Sequence, residues 1–562
     1  MSASVATMLP LCAHSQVEVG GIGDVDPFGT GYLSGDETAM PTDMWKASRT
    51  GDLLSLMEKV RTSPLTPAER SLLRRVVLSP AARPSGENAE QVLAQRARIM
   101  FEIGEAEAAA DLLGQLSENP TGLDAEALSV DLQLALGNQA TACSRGEGRA
   151  LEGAFWAKLR TVCALLVEDA AGAELAAEIA GAQGVEDDWF YSAVFAATAG
   201  DEETRPDARY DTGLNLALSE AAGLETGDTF VASSRGDLSA AMARRESLPI
   251  TLRVQAAGIA SEAALISAEF HRDLFATLLD REDYQPSRPI EVALAPGRVV
   301  NADRNEVDGS AAEGGEASGN GNESPPDDNA DAGVKSVDPA VRADYLASAI
   351  ASATGDAARF AAVSRLLAAD LEALQKSAAT STHALTFARA AIAAGDPGLA
   401  ATWHRLTTIE GAAEPDPFLQ AWTEGLILLA RGGVRKQDAA PVADAIASAA
   451  DTTGKQRAAA QLFAAWTAFD IAASAEARAM MASLDTPPRE INEWTLVSIG
   501  AAAEADGAGE VVLGVIGLTS GDPAQIAPLD LVVLIEALRD IEAGDAARTL
   551  ALEATGYWKS LR

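Results

Sequence analysis

Few residues in this chain are of types that do chemistry at a defined spacing. Among 562 residues there are 3 cysteines and 4 histidines, against 82 carboxylates. His14, His271, His383 and His404 lie far apart, and no two share a metal-ligand spacing. No HExxH sequence sets two imidazoles and a base on one helical face. The Gly-x-Ser-x-Gly elbow, the GxxxxGK[ST] phosphate loop and a GxGxxG turn after a strand are absent as well. His271-Arg272-Asp273 copies a kinase catalytic-loop triplet. However, the chain has no glycine-rich phosphate loop and no Asp-Phe-Gly, and Leu278 stands where the magnesium-binding Asn belongs. Asp24 to Gly29 has the outline of a calcium loop, but Phe28 fills the third ligand position and Gly35 the place of the bidentate Glu. With 82 acids a carboxylate pair can always be found, so such a pair decides nothing. No residue is assigned a catalytic, cofactor-binding or metal-binding role, and no enzymatic activity is expected.

Cys143 and Cys163 are the exception. In a reducing cytosol they would be ordinary core thiols, and in an oxidising compartment they would pair. Cys143 is read as lying early in one helix and Cys163 late in the next. An antiparallel hairpin brings those positions together. Closing a loop of about 20 residues stabilises by roughly 3 kcal/mol in the chain-entropy description. There is no CxxC pair to suggest redox catalysis.

The elements that hold these residues read as helices throughout. Gln139 to Gly184 is the reference stretch: a helix, a turn, a longer helix, a break at Glu168-Asp169, and a further helix. The same junction recurs along the chain, often as Gly followed by an acid or Asn. It falls at Gly104, Gly137, Glu168, Gly200, Gly395, Gly432, Gly507 and Gly544. Early spacings are 33, 31 and 32 residues, and later ones are 37. Helix pairs at such periods build solenoids. The expected fold is therefore all-α: an α-solenoid of antiparallel helix pairs, tetratricopeptide-like but lacking that family's full consensus. The alternative is an irregular all-α domain with Gly-terminated helices.

Composition sets further bounds. The chain carries 43 basic residues against 82 acids, a net charge of −39. Such a field repels nucleic-acid phosphates and anionic membrane surfaces. No run of about 18 apolar residues predicts a transmembrane helix. Residues 1–16 end in Ala13-His14-Ser15, small residues two apart. They read either as a signal-peptide remnant without its cationic start or as a disordered N-terminus. Removal there would take Cys12 and leave the other two cysteines. Residues 17–44 form a Gly- and Asp-rich leader that packs onto the first helices, with Phe28, Tyr32 and Trp45 as anchors. Residues 45–300 make an N-terminal helical half and 338–562 a C-terminal one. Between them, residues 301–337 hold nine acids, two bases and almost no large apolar side chain. Such a segment cannot offset its ordering entropy and reads as a disordered acidic linker. In the second half Trp403, Trp422, Trp466, Trp494 and Trp558 sit at helical positions and are expected in the core. Tyr557 and Trp558 are expected to cap the end of the stack.

Several segments resemble a family of uncharacterised Ala-rich helical proteins of alphaproteobacteria. They are Ala142-Cys143, the run FWAKLRTVC from Phe155 to Cys163, Ala173-Glu174-Leu175-Ala176, Gly184 to Asp188, SLLRRVVLS from Ser71 to Ser79, and Ala537 to Ala554. The resemblance implies an exported helical-repeat protein and no activity. The acidic insert and the missing cationic start depart from the family's pattern. The expected function is a non-enzymatic scaffold in the cell envelope, periplasmic or otherwise exported, that binds a protein or peptide. Alternatives are a non-catalytic helical component of a cell-wall-remodelling system and a cytosolic regulatory adaptor.

Overall fold

The computed structural model describes residues 26–35, 37–116, 122–146, 153–199, 205–226, 235–298, 337–485 and 491–559. The expected signal remnant (1–16) lies outside these residues. So do Cys12, the Gly200 junction, and all but the last residue of the acidic linker (301–337).

The chain folds as helix after helix. The leader is followed by α1 (Thr50–Lys59), α2 (Pro67–Leu78), α3 (Ala89–Glu102) and α4 (Ala106–Gly114). A second group follows: α5 (Ala125–Ala135), α6 (Gln139–Gly146), α7 (Ala154–Leu166), α8 (Ala170–Ala182), α9 (Asp188–Ala199) and α10 (Gly213–Ala221). A third group comprises α11 (Gly236–Arg244), α12 (Ile250–Glu262), α13 (Ala268–Leu279) and α14 (Pro289–Leu294). After the linker come α15 (Pro339–Ala351), α16 (Ala357–Ala373), α17 (Ala384–Ala393), α18 (Pro397–Arg405), α19 (Pro417–Arg431) and α20 (Lys436–Ala449). The last six are α21 (Thr453–Ala468), α22 (Ala475–Ala482), α23 (Glu493–Glu504), α24 (Ala508–Thr519), α25 (Pro528–Asp540) and α26 (Gly544–Ala554). Among the described residues the sole β pairing is an isolated bridge, Arg49 to Ser85. Successive helices pack as neighbours, so the paired-helix solenoid expected from the sequence is the observed architecture.

The junctions are built in two ways. Gly104, Gly137, Gly395 and Gly432 take positive φ at a helix end, as expected. At three junctions an acid takes the left-handed conformation instead: Glu168, Asp506 and Glu542, with φ of 60, 57 and 59°. Gly507, the N-cap of α24, and Gly544, the first residue of α26, are thus not the left-handed residues. Each of these acids is exposed and stands two residues before the next helix begins. For a residue with a side chain that conformation costs about 1 kcal/mol.

The leader is part of the core. Phe28, Met44 and Trp45 are fully buried. Backbone bonds tie it down, with Tyr32 N donating to Leu78 O (2.8 Å) and Ala81 N to Phe28 O (2.8 Å). Arg96, also fully buried, donates to Val77 O (2.6 Å), Ser79 O (2.7 Å) and Thr30 O (3.3 Å). One guanidinium thereby satisfies the end of α2 and holds the leader against it. Burial lowers its pKa to about 10, so it stays charged at neutral pH.

The packing also closes on itself. One continuous apolar core joins the leader and α1–α4 to the helices that follow the linker. The final helix, α26, lies against α2, and α24 lies against α1 and α2. At this seam Glu69, at the start of α2, accepts from Thr66 N (2.8 Å), Gly521 N (2.9 Å) and the Thr519 hydroxyl. Glu553 of α26 accepts from Ala68 N (2.9 Å), one of the N–H groups left open at that same helix start. Trp45 reaches across to α24, where a Cβ on Gly509 would lie 2.0 Å from its ring. Tyr557 and Trp558 are buried, but they do not cap a free end. Tyr557 packs edge-on to Phe360 at 6.0 Å, beside a helix that already meets α2. Trp494 corrects the tryptophan expectation. It is 78% exposed, while Trp403, Trp422, Trp466 and Trp558 are buried.

Two smaller cores flank the main one. One is built from α5–α10, the other mainly from α11–α13 with Ala135, Leu216 and Leu366 joining it. Asp370 clamps the second to the main body through Arg272 (2.5 Å) from α13 and Arg342 (2.9 Å) from α15.

Candidate interaction surface on the disulfide-stapled hairpin

Cys143 on α6 and Cys163 on α7 are joined in a disulfide, with Cα atoms 5.7 Å apart. That separation is the usual one for a bonded pair. The hairpin geometry expected from the sequence thus brings both site residues together. The staple is reinforced from both sides. Trp156 donates through Nε1 to Asp124 Oδ2 (2.9 Å), and Asp124 also caps the start of α5. Lys158 on α7 reaches Asp187 before α9 (2.5 Å). Burial works to raise the Asp187 carboxyl, but the Lys158 ammonium and the Phe190 N–H outweigh it, and the group titrates below its ordinary range. The Tyr191 hydroxyl donates to Val185 O (2.9 Å), fixing the α8–α9 turn.

The helix held by this frame is inverted. In α8 the buried positions are Ala173, Ala177 and Ala180. The large apolar residues point outward: Leu175 is 60% exposed and Ile179 is 45% exposed. At about 100° per residue the two sets lie on opposite sides of the helix. Exposed Ala171 and Ala182 extend the outer stripe. Val167, in the turn before α8, is 74% exposed, and Phe195 on α9 is 54% exposed. Folding alone favours the reverse arrangement, because burying a leucine or isoleucine contributes about 1.5 to 3 kcal/mol and an alanine much less. The small side chains let α8 lie close to α7 and α9 and leave its aliphatic face free.

The remaining chemical residues serve packing. His271 is buried and stacks on Phe275 with ring centres 5.0 Å apart. Burial, aided by the nearby Arg288 charge, holds its imidazole down at about 4, so it is neutral at pH 7. Arg272 is engaged with Asp370, and Asp273 is exposed. A shallow depression of about 650 Å³ lies where the α5–α6 turn meets Glu220, Arg244 and Arg245. Its arginines are spoken for. Arg245 donates to Leu134 O (2.6 Å) and Ala135 O (3.3 Å) and pairs with Glu220, while Arg244 donates to Ala240 O (3.0 Å) and Leu265 O (3.2 Å). Among the described residues no group of three or more His, Cys, Asp or Glu is placed to hold a metal ion, and no helix is long and apolar enough to cross a membrane.

The sequence reading singled out the right hairpin but not its exposed face. The signal was present. Leu175 and Ile179 are four residues apart and out of phase with Ala173, Ala177 and Ala180, so α8 carries two apolar stripes where a core helix needs one. No family model matches the chain, and no curated protein or solved structure matches it either.

Proposed function

We propose that this protein is an exported helical scaffold that docks a protein or peptide partner on the outer face of α8. The observation that carries the reading is the inversion of α8, with Leu175 and Ile179 outside and alanines inside. Exposed aliphatic side chains on a braced helix suit the centre of an interface, where apolar anchors carry most of the binding energy. The disulfide supports the compartment, since such bonds persist outside the reducing cytosol. The resemblance to exported alphaproteobacterial helical proteins belongs to the same proposal, as does a non-enzymatic role.

Site-specific photocrosslinking tests it. A photoreactive residue at Leu175 or Ile179 is expected to give one discrete adduct in envelope extracts. The same residue at exposed Arg49, just before α1, is expected to give none. Equal labelling at all three positions, or no adduct at Leu175 and Ile179, would refute the reading. Fractionation of tagged protein tests the compartment separately, and recovery in the cytosol with both thiols free would remove export.

A further inference from the structure

We infer that the partner seated on α8 is a cationic amphipathic helix, with an apolar stripe flanked by lysine or arginine. The inference rests on the docking reading above and adds the chemistry of the occupant. Residues 161–199 carry seven carboxylates and no lysine or arginine, in a chain that holds 43 bases in 562 residues. Glu174 and Glu178 are exposed on α8 itself, beside the stripe formed by Leu175 and Ile179. Glu168 and Asp169 stand at one end of the helix and Glu186 beyond the other, all exposed. The bases nearest in sequence are Arg160 and Lys158, and Lys158 is already tied to Asp187. An apolar strip with acidic margins selects an apolar strip with basic margins. Like charges at the rim cost affinity, and opposite charges steer encounter and set register.

The same charge argument removes the other occupants. A second copy brings the same acids and a net charge of −39 against them. The chain's own segments outside the described residues are no better suited. Residues 1–25 contain no lysine or arginine, and 301–337 hold nine acids against two bases. An anionic lipid surface is repelled by these margins. Two helices meeting along i, i+4 rows also fit the observed spacing, since Leu175 and Ile179 make one ridge that a facing groove can receive.

The test uses the full oxidised chain and three labelled 18-residue peptides, read by fluorescence anisotropy. One peptide is an amphipathic helix with leucine on one face and lysine on the other. The second carries glutamate in place of lysine. The third is a scramble of the lysine peptide with no apolar face. The lysine helix is expected to bind saturably at one site, at least tenfold tighter than either of the others, and to weaken as salt rises. Leu175→Glu with Ile179→Glu is expected to lower its affinity at least tenfold. Glu174→Gln with Glu178→Gln is expected to weaken it several-fold and flatten the salt dependence. Both pairs are exposed, and unchanged circular dichroism verifies the fold. Equal binding of the scramble, equal binding of the glutamate helix, or full affinity in the Leu175/Ile179 variant overturns the inference. So does Leu175-dependent binding to vesicles of anionic phospholipid in place of the peptide. A discrete crosslink at Leu175 combined with equal affinity for the lysine and glutamate helices would sink the charge inference alone and leave the docking reading standing.

Discussion

Replacing Glu553 with glutamine isolates the group that joins the last helix to the second. Its carboxyl is 2% exposed, accepts from Ala68 N, and leaves Oε2 without a hydrogen-bond partner. Burial, and then the nearby charge of Glu69, push its pKa up from 4.5 to about 8. In the folded chain it therefore holds a proton that the unfolded chain has released. The native state binds more protons between those two values, so stability falls as pH rises from about 4.5 to about 8 and levels off above. At about 1.4 kcal/mol per pH unit, the span amounts to no more than about 5 kcal/mol. Glutamine keeps the carbonyl that Ala68 N needs and has no proton to lose. Urea unfolding from pH 5 to 8.5 at constant salt is the assay, with hydrogen exchange at the Ala68 amide as a local readout of the seam. Near pH 5 the two proteins are expected to be close in stability. By pH 8.5 the wild type is expected to have lost several kcal/mol relative to Glu553→Gln. Parallel curves across the whole range would show that the carboxylate is tolerated in the seam and that the reasoning from burial is wrong.

Four other expectations follow from named contacts. In denatured but unreduced protein Cys143 and Cys163 are expected to take up no alkyl group by peptide mass mapping, and both are expected to react after reduction, because they are bonded. The Cys143→Ser/Cys163→Ser variant is expected to lose about 3 kcal/mol in urea unfolding, set by the loop that the bond closes. His271 gives the opposite pH trend from Glu553. Its imidazole is held down from 6.5 to about 4, so the unfolded chain takes the proton first, and stability present above pH 6.5 is lost as pH falls toward 4. His271→Leu is expected to abolish that loss, about 3 kcal/mol at most, in thermal melts between pH 7 and 4. Gly509→Val must displace Trp45, whose ring lies 2.0 Å from where the first side-chain carbon would go. It is expected to cost about 1 to 3 kcal/mol and to speed tryptic cleavage at exposed Lys46, and an unchanged cleavage rate would refute the docking of the leader there.

Local signals carried most of the fold. Helix ends such as Gly104 and Gly137 are written within a few residues and appear in the structure as read, and the capping box of Thr66 and Glu69 that opens α2 is equally local. The disulfide was also legible, because two helices of known length in an antiparallel hairpin bring Cys143 and Cys163 together. What could not be read was non-local. Glu69 looks like an ordinary capping residue, and nothing near it in sequence announces Thr519, Gly521 or Glu553. The acids at Glu168, Asp506 and Glu542 hid their left-handed role because neighbouring glycines looked better suited to it. Trp494 shows the limit of composition, since a tryptophan at a helical position says nothing about which side of the helix is covered. The face of α8 lay in plain sequence, but reading it required knowing that the alanines, and not Leu175 and Ile179, point inward.

The seam between α2 and α26 bears on how the chain reaches its final form. The hydrogen bond from Ala68 to Glu553 spans 485 residues. A helical array is normally a sum of neighbour contacts and can begin folding anywhere. Here the leader and the first helices share a core with helices that follow several hundred residues later, so their inner faces stay uncovered until those helices have been made. Such long-range contacts slow folding and prolong exposure of apolar surface. A nascent chain of this protein therefore presents its N-terminal helices, unfinished, to whatever chaperones or export factors meet it first, and a truncation that removes Gly544–Ala554 leaves them so for good.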